Sequence, residues 1–266
     1  EQVCKGLEEI AASYERWIAE RRYEIPSLPE KYHDVATKNL ENCEESLKRI
    51  RAGIDLLSCD RMVFRAFQLV NQAMLRLRLQ IGGSTRASDH GWYPFQLAFI
   101  LQEISSIANP EDPYREVVDL LWFPTGGGKT EAYLGLAAFT IFLRRMRAAS
   151  QGQSGGGVAI MMRYTLRLLT LQQFERASAL ICACELMRRE NPGLLGEEEI
   201  AAGLWVGGGL TPNRREDAAR SLEKILKEGF EALKEDEANP CQVLTCPWCK
   251  TQIRPQYYTV NRDRML

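Results

Sequence analysis

Val117-Val118-Asp119-Leu120-Leu121-Trp122-Phe123-Pro124-Thr125-Gly126-Gly127-Gly128-Lys129-Thr130 is the stretch on which the fold turns. Seven mostly apolar residues lead into a glycine-rich turn, and a helical pattern follows through Arg147. The order reads as strand, phosphate loop, helix, and it predicts an α/β protein. Glycines tolerate the backbone angles that wrap N–H groups around phosphate oxygens, so Thr125, Gly126, Gly127 and Gly128 are the expected cradle. Lys129 would add a point charge and the Thr130 hydroxyl would help hold Mg²⁺, which makes ATP with Mg²⁺ the expected cofactor and these two residues the catalytic pair. The competing reading is a glycine-rich turn with no ligand.

Phe123-Pro124-Thr125-Gly126-Gly127-Gly128-Lys129-Thr130 resembles motif I of superfamily 2 helicases, with Phe123 where the formal pattern has its first glycine. Upstream, Trp92-Tyr93-Pro94-Phe95-Gln96-Leu97 is similar to a helicase Q motif, in which the Gln96 amide would pair with an adenine edge. An ordinary glutamine at the start of a helix is the alternative.

Composition narrows the classes. The 266 residues hold 34 basic and 35 acidic side chains, so any nucleic-acid surface must be local. Eight cysteines in no disulfide-like framework suit a reducing cytoplasm, and no apolar run has membrane-spanning length. The chain opens on Glu1 rather than Met, which suggests an internal piece of a longer protein.

Residues 1–110 read as a helical amino-terminal region. Leu7, Ile10, Tyr14, Trp17 and Ile18 recur at helical spacing until Pro26 and Pro29 end the element. Cys43, Leu47, Ile50, Ile54 and Leu57 mark a second stripe. Ser58-Cys59-Asp60 then offers a break and a new N-cap before Val63, Phe64, Phe67, Val70, Met74 and Leu77. Asn109-Pro110-Glu111-Asp112-Pro113 is a turn cluster and the expected boundary of a nucleotide-binding lobe over 111–240.

Within that lobe, Val158-Ala159-Ile160-Met161-Met162 and Gly203-Leu204-Trp205-Val206 read as short buried strands. Arg163, Thr165 and Arg167 follow the first, where ligands gather in open α/β sheets, and they suit a phosphate backbone. Helix capping with surface charge is the alternative. Gln242-Val243-Leu244-Thr245 reads as a last short strand. It runs into Cys246-Pro247-Trp248-Cys249, the start of a cysteine-bearing insertion over 241–266. Cys246 and Cys249 would supply half of a tetrahedral structural Zn²⁺ site, completed by ligands beyond residue 266. A redox pair and two unliganded thiols are the alternatives.

Leu121 to Tyr133 and Arg163 to Phe174 together resemble the helicase-like DrmA subunits of DISARM anti-phage systems, with likeness from about Asn39 to the end. The resemblance implies a large ATPase with two RecA-like lobes, acting on DNA with a DrmB partner. It makes Arg163–Arg167 the counterpart of motif Ia, matches Gly207 and Gly208 to a glycine turn, and puts Thr245 near motif Ib. The expected fold is therefore an incomplete first RecA-like lobe with a parallel sheet, preceded by helices. Motif Ia usually has Pro where Arg163 or Tyr164 stands.

Phosphoryl transfer also needs an acidic residue after a buried strand to hold the metal, and usually an arginine finger. Asp236-Glu237-Ala238-Asn239 has the letters of such a box, but a charged helix precedes it. The segment is thus expected to cradle phosphate without hydrolysing ATP alone. Three readings follow: a DNA-dependent ATPase or translocase, a nucleotide switch signalling through a partner, and an assembly scaffold whose helices bind another subunit.

Overall fold

The computed structural model describes residues 2–81, 86, 91–124, 126–164, 167–207, 209–234 and 237–261. Eight α-helices are found among them: α1 Gln2–Glu24, α2 His33–Cys59, α3 Arg61–Ile81, α4 Pro94–Ala108, α5 Lys129–Ser150, α6 Arg167–Glu190, α7 Pro192–Leu195 and α8 Arg215–Glu228. The chain divides into two compact units. One comprises residues 1–162 and 183–200; the other comprises 163–182 and 201–266, so α6 contributes to both.

In the first unit the apolar stripes dictate the packing. Leu40, Leu47, Ile50, Ile54 and Leu57 bury one face of α2, and Val63, Phe67, Val70, Met74 and Leu77 bury one face of α3. Between these helices Asp60 ends one and caps the next. Its Oδ1 accepts the backbone N–H groups of Met62 and Val63 at 2.8 and 3.0 Å, which satisfies two donors that α3 itself cannot. Helix α2 packs on α1 and α4, and α5 packs on α3, α4 and α7. The α2–α4 crossing is close because residue 53 is glycine: a Cβ there would stand 2.0 Å from the Leu101 carbonyl oxygen. Ile100, Leu101, Ile104, Phe139 and Phe142 fill the centre without solvent contact.

The second unit has a smaller core, in which Leu222 and Ile225 of α8 meet Cys241, with Leu233, Tyr258 and Val260 packed around them. Tyr258 fixes the return of the chain. Its hydroxyl donates to the Val243 carbonyl at 2.5 Å and accepts the Val243 N–H at 2.9 Å.

The expected sheet is not there. Among the described residues no β-strand forms, and the one β-bridge joins Thr245 to Gln252 in antiparallel sense. The runs 117–123, 158–162, 203–206 and 242–244 are not strands, so the fold is helical and holds no RecA-like parallel sheet. A strand satisfies its N–H and C=O groups only across to a neighbour, and among the described residues these runs form no such ladder. The correction reaches the function. A nucleotide-binding loop of the Walker type is seated at the end of a sheet strand, so the helicase, P-loop and ATP-binding readings lose their scaffold, and with them the DNA-dependent ATPase and the nucleotide switch. ATP with Mg²⁺ falls for the same reason. The Zn²⁺ half-site falls because no group of three or more His, Cys, Asp or Glu side chains able to hold a metal occurs among the described residues. No described helix is long and apolar enough to cross a membrane.

Candidate functional site

The glycine-rich turn is nonetheless sharply built. Gly126 and Gly128 hold left-handed φ values of 83° and 90°, and the Gly127 N–H closes a turn on the Pro124 carbonyl at 3.1 Å. Helix α5 starts at Lys129 immediately after Gly128. The Lys129 ammonium folds back over the loop, donating to the Phe123 carbonyl and, at 3.2 Å, to that of Pro124. Glu131, in the first turn of α5, is buried and pairs with Arg78 of α3 at 2.9 Å, where a negative charge also suits the helix dipole.

Gln96 is the buried anchor of this turn. Its Oε1 accepts the Tyr93 N–H at 2.9 Å and its Nε2 donates to the Gly128 carbonyl at 2.7 Å, so both ends of the amide are engaged inside the chain. Gly128 must lack a side chain, since a Cβ would lie 2.8 Å from Gln96 Nε2. Phe95 stacks on Phe123 with ring centroids 3.9 Å apart, and Tyr93 stacks on Phe95 at 6.2 Å. Gln96, Gly126, Gly127, Gly128, Lys129 and Thr130 are therefore gathered at one place. Thr125 lies outside the described residues.

Before the turn, exposure alternates over 118–122, with Val117 and Phe123 exposed on either side. Asp119 and Leu121 are half-buried, whereas Val118, Leu120 and Trp122 are 94, 84 and 82 % exposed. Over 118–122 this pattern, the one expected where successive side chains turn to opposite faces, gives an inner and an outer side. The inner side is pinned by charge: Arg49 of α2 donates to both Asp119 carboxylate oxygens, at 2.5 and 2.7 Å, and to Glu103 of α4 at 3.1 Å. Gln102 adds a bond to Asp119 at 3.0 Å. Burial, then the nearby Asp119 charge, pushes Glu103 up to about 7, while the Arg49 guanidinium holds Asp119 below the usual carboxylate range. The outer side is a row of three large apolar side chains in solvent.

The run 158–161 repeats the theme in the same unit. Val158 and Met161 are exposed, and Arg144 of α5 holds its start by donating to the Val158 carbonyl at 2.7 Å and to that of Gly156. Neither exposed row was legible in advance, because a short apolar run has the same composition whether it is buried or bare.

The residues expected at nucleic acid fall in the second unit. Arg163 is exposed ahead of α6, Gly207 is exposed after the 203–206 run, and Thr245 is held in its bridge to Gln252. Thr165, Gly208, Asp236 and the side chain of Arg167 lie outside the described residues. Cys246 and Cys249 sit on the two sides of one tight turn. The Thr251 hydroxyl lies 3.2 Å from Cys249 Sγ, and hydrogen bonds from Thr251 and Cys246 hold the Cys249 thiol below its ordinary range.

No protein-family model matches the chain. A DISARM protein DrmA of Bacillus paralicheniformis is 36 % identical to it over 97 % of its length. The chain is thus a distant homologue of a DISARM-associated protein. It spans about a quarter of that relative, 24 % of its length.

Proposed function

We propose that this chain is a helical docking module of a larger DISARM-type defence protein, and that it acts by holding a partner protein rather than by turning over a nucleotide. The observation that carries this reading is the outer row Val118, Leu120 and Trp122. Three large apolar side chains on one face of an ordered run stay in water at a cost of roughly 1.5 to 3 kcal/mol each relative to burial. Exposed apolar rows of this kind mark interaction surfaces, and an extended run with unbridged backbone also offers hydrogen bonds to an incoming segment.

The helices supply rigidity. Arg49 and Gln102 fix the inner side of the run, and the Gly126–Lys129 turn, closed by Gln96 and Lys129, fixes its far end. In this account the glycine turn is a structural seat. The partner we assign is a DrmB-type subunit, on the strength of the likeness to DrmA.

The test is a binding titration of the purified chain against a DrmB-type subunit, with the triple variant Val118→Ser, Leu120→Ser, Trp122→Ser as the comparison. All three side chains are exposed, so the variant keeps its helical circular dichroism. Weakening by at least about tenfold is expected, since each 1.4 kcal/mol of lost apolar burial is a factor of ten. Equal binding by both proteins, or ATP turnover by the chain that Lys129→Ala abolishes, would overturn the reading.

A further inference from the structure

The Cys246–Cys249 turn is used by nothing described so far, and its geometry points to a dithiol that a small-molecule disulfide converts to an intramolecular disulfide. The turn is closed on both sides. The Cys246 N–H donates to the Thr251 carbonyl at 2.8 Å, the Lys250 N–H to the Cys246 carbonyl at 3.0 Å, and the Ile253 N–H to the Leu244 carbonyl at 2.8 Å. Lys250 adopts a left-handed φ of 60°, which reverses the chain directly after Cys249. The result places Cys246 and Cys249 at the two ends of one closed turn, three residues apart. Cys249 is exposed and Cys246 is half-buried, so their roles differ. A disulfide reagent reaches Cys249 first, and Cys246 is placed to resolve the product.

The chemistry balances with a disulfide RSSR as the oxidant. Cys249 loses its proton, and its thiolate attacks one sulfur of RSSR. The S–S bond breaks, one RS⁻ leaves, and a mixed disulfide remains on Cys249. Cys246, likewise deprotonated, then attacks Cys249 Sγ and expels the second RS⁻. Two electrons pass from the protein thiols to the reagent, and both thiolates that leave take up the two protons lost, giving two RSH. The new bond staples a turn that lies four residues beyond Gln242, and Gln242 is tied to the Leu210 and Asn239 carbonyls at 3.0 and 2.7 Å.

The chain carries its own control. Cys59, at the end of α2, is also exposed but is ordinary in setting, with its Sγ facing the Leu56 carbonyl of its own helix at 3.6 Å. Reduced chain, freed of reductant, is treated with glutathione disulfide and then mapped by peptide mass and thiol titration. Cys59 is expected to stop at the mixed disulfide, while Cys246 and Cys249 lose two thiols and retain no glutathione. Cys246→Ser is expected to trap glutathione on Cys249, and Cys249→Ser to slow reaction at Cys246 by about tenfold, because the exposed attacking thiol is gone. Three results would overturn the inference: both thiols staying reduced while Cys59 reacts, oxidation joining Cys182 to either of them instead, or bound zinc that shields the pair until a chelator removes it.

Discussion

Arg49 and Asp119, seventy residues apart in the chain, form a two-pronged ion pair at 2.5 and 2.7 Å that ties the run 117–123 to helix α2. Arg49 keeps 7 % of its side-chain surface and Asp119 keeps 15 %. A pair this shielded is desolvated at a cost, and it is costly to break on one side only, because the remaining charge is left without a partner.

Arg49→Met is therefore expected to lower stability by about 3 kcal/mol, since it strands both Asp119 and Glu103. Urea unfolding followed by circular dichroism measures it. A loss below about 1 kcal/mol, the range of exposed pairs, would show that the pair does not anchor the run.

The same cluster sets a pH dependence. Glu103 titrates near 7 in the folded protein, above its unfolded value, so the folded state binds the extra proton between about pH 4.5 and 7. Stability from this group is present at the low end of that window and is lost as pH rises through 7. Asp119 has the opposite sign: its folded value is lowered, so its contribution is lost only in acid, below the ordinary carboxylate range. The melting temperature is expected to fall from pH 5 to pH 8 in the native chain and to fall less in Glu103→Gln. An unchanged slope in that variant would remove Glu103 from the account.

Gly53→Ala tests the α2–α4 crossing. The added methyl would meet the Leu101 carbonyl oxygen of α4, which is backbone and cannot swing aside. A loss of about 1 to 3 kcal/mol is expected from such overpacking, against a gain of up to about 1 kcal/mol if the helices were free to part. The sign of the change decides, and thermal melting gives it.

Asp60→Ala tests the cap of α3. Losing the bonds to the Met62 and Val63 N–H groups is expected to cost about 1 kcal/mol. Asp60→Asn, which keeps an accepting oxygen, should restore most of it. Equal melting of the native chain and Asp60→Ala would refute the cap.

That cap was readable in the sequence, and so was much of the helical half. Leu47, Ile50, Ile54 and Leu57, like Val63, Phe67, Val70, Met74 and Leu77, carry helical spacing and are buried as the spacing requires. Trp17 is an exception, matching the stripe of α1 yet 44 % exposed, with its ring stacked on Tyr14 of the same helix. The sheet was misread for a physical reason. Val117–Phe123 and Val158–Met162 have the composition of buried strands, but burial of a strand is decided by what lies beside it, which no local pattern contains. The glycine turn shows the same limit. Gly126, Gly128 and Lys129 were legible as a sharp turn opening a helix, whereas the engagement of Gln96 with Gly128 and of Lys129 with Phe123 comes from tertiary packing. The alternation of Asp119 inward and Leu120 outward depends on Arg49, far away in sequence.

The most direct test of the central claim is amide hydrogen exchange across residues 117–123, read by mass spectrometry on the chain alone and with a DrmB-type subunit added. No backbone-to-backbone hydrogen bond among the described residues closes 118–122, so these amides are expected to exchange rapidly in the isolated chain and to become protected in the complex. Strong protection in the isolated chain would mean that the run is already paired in a sheet, and unchanged rapid exchange in a formed complex would mean that the partner docks elsewhere; either result contradicts the account.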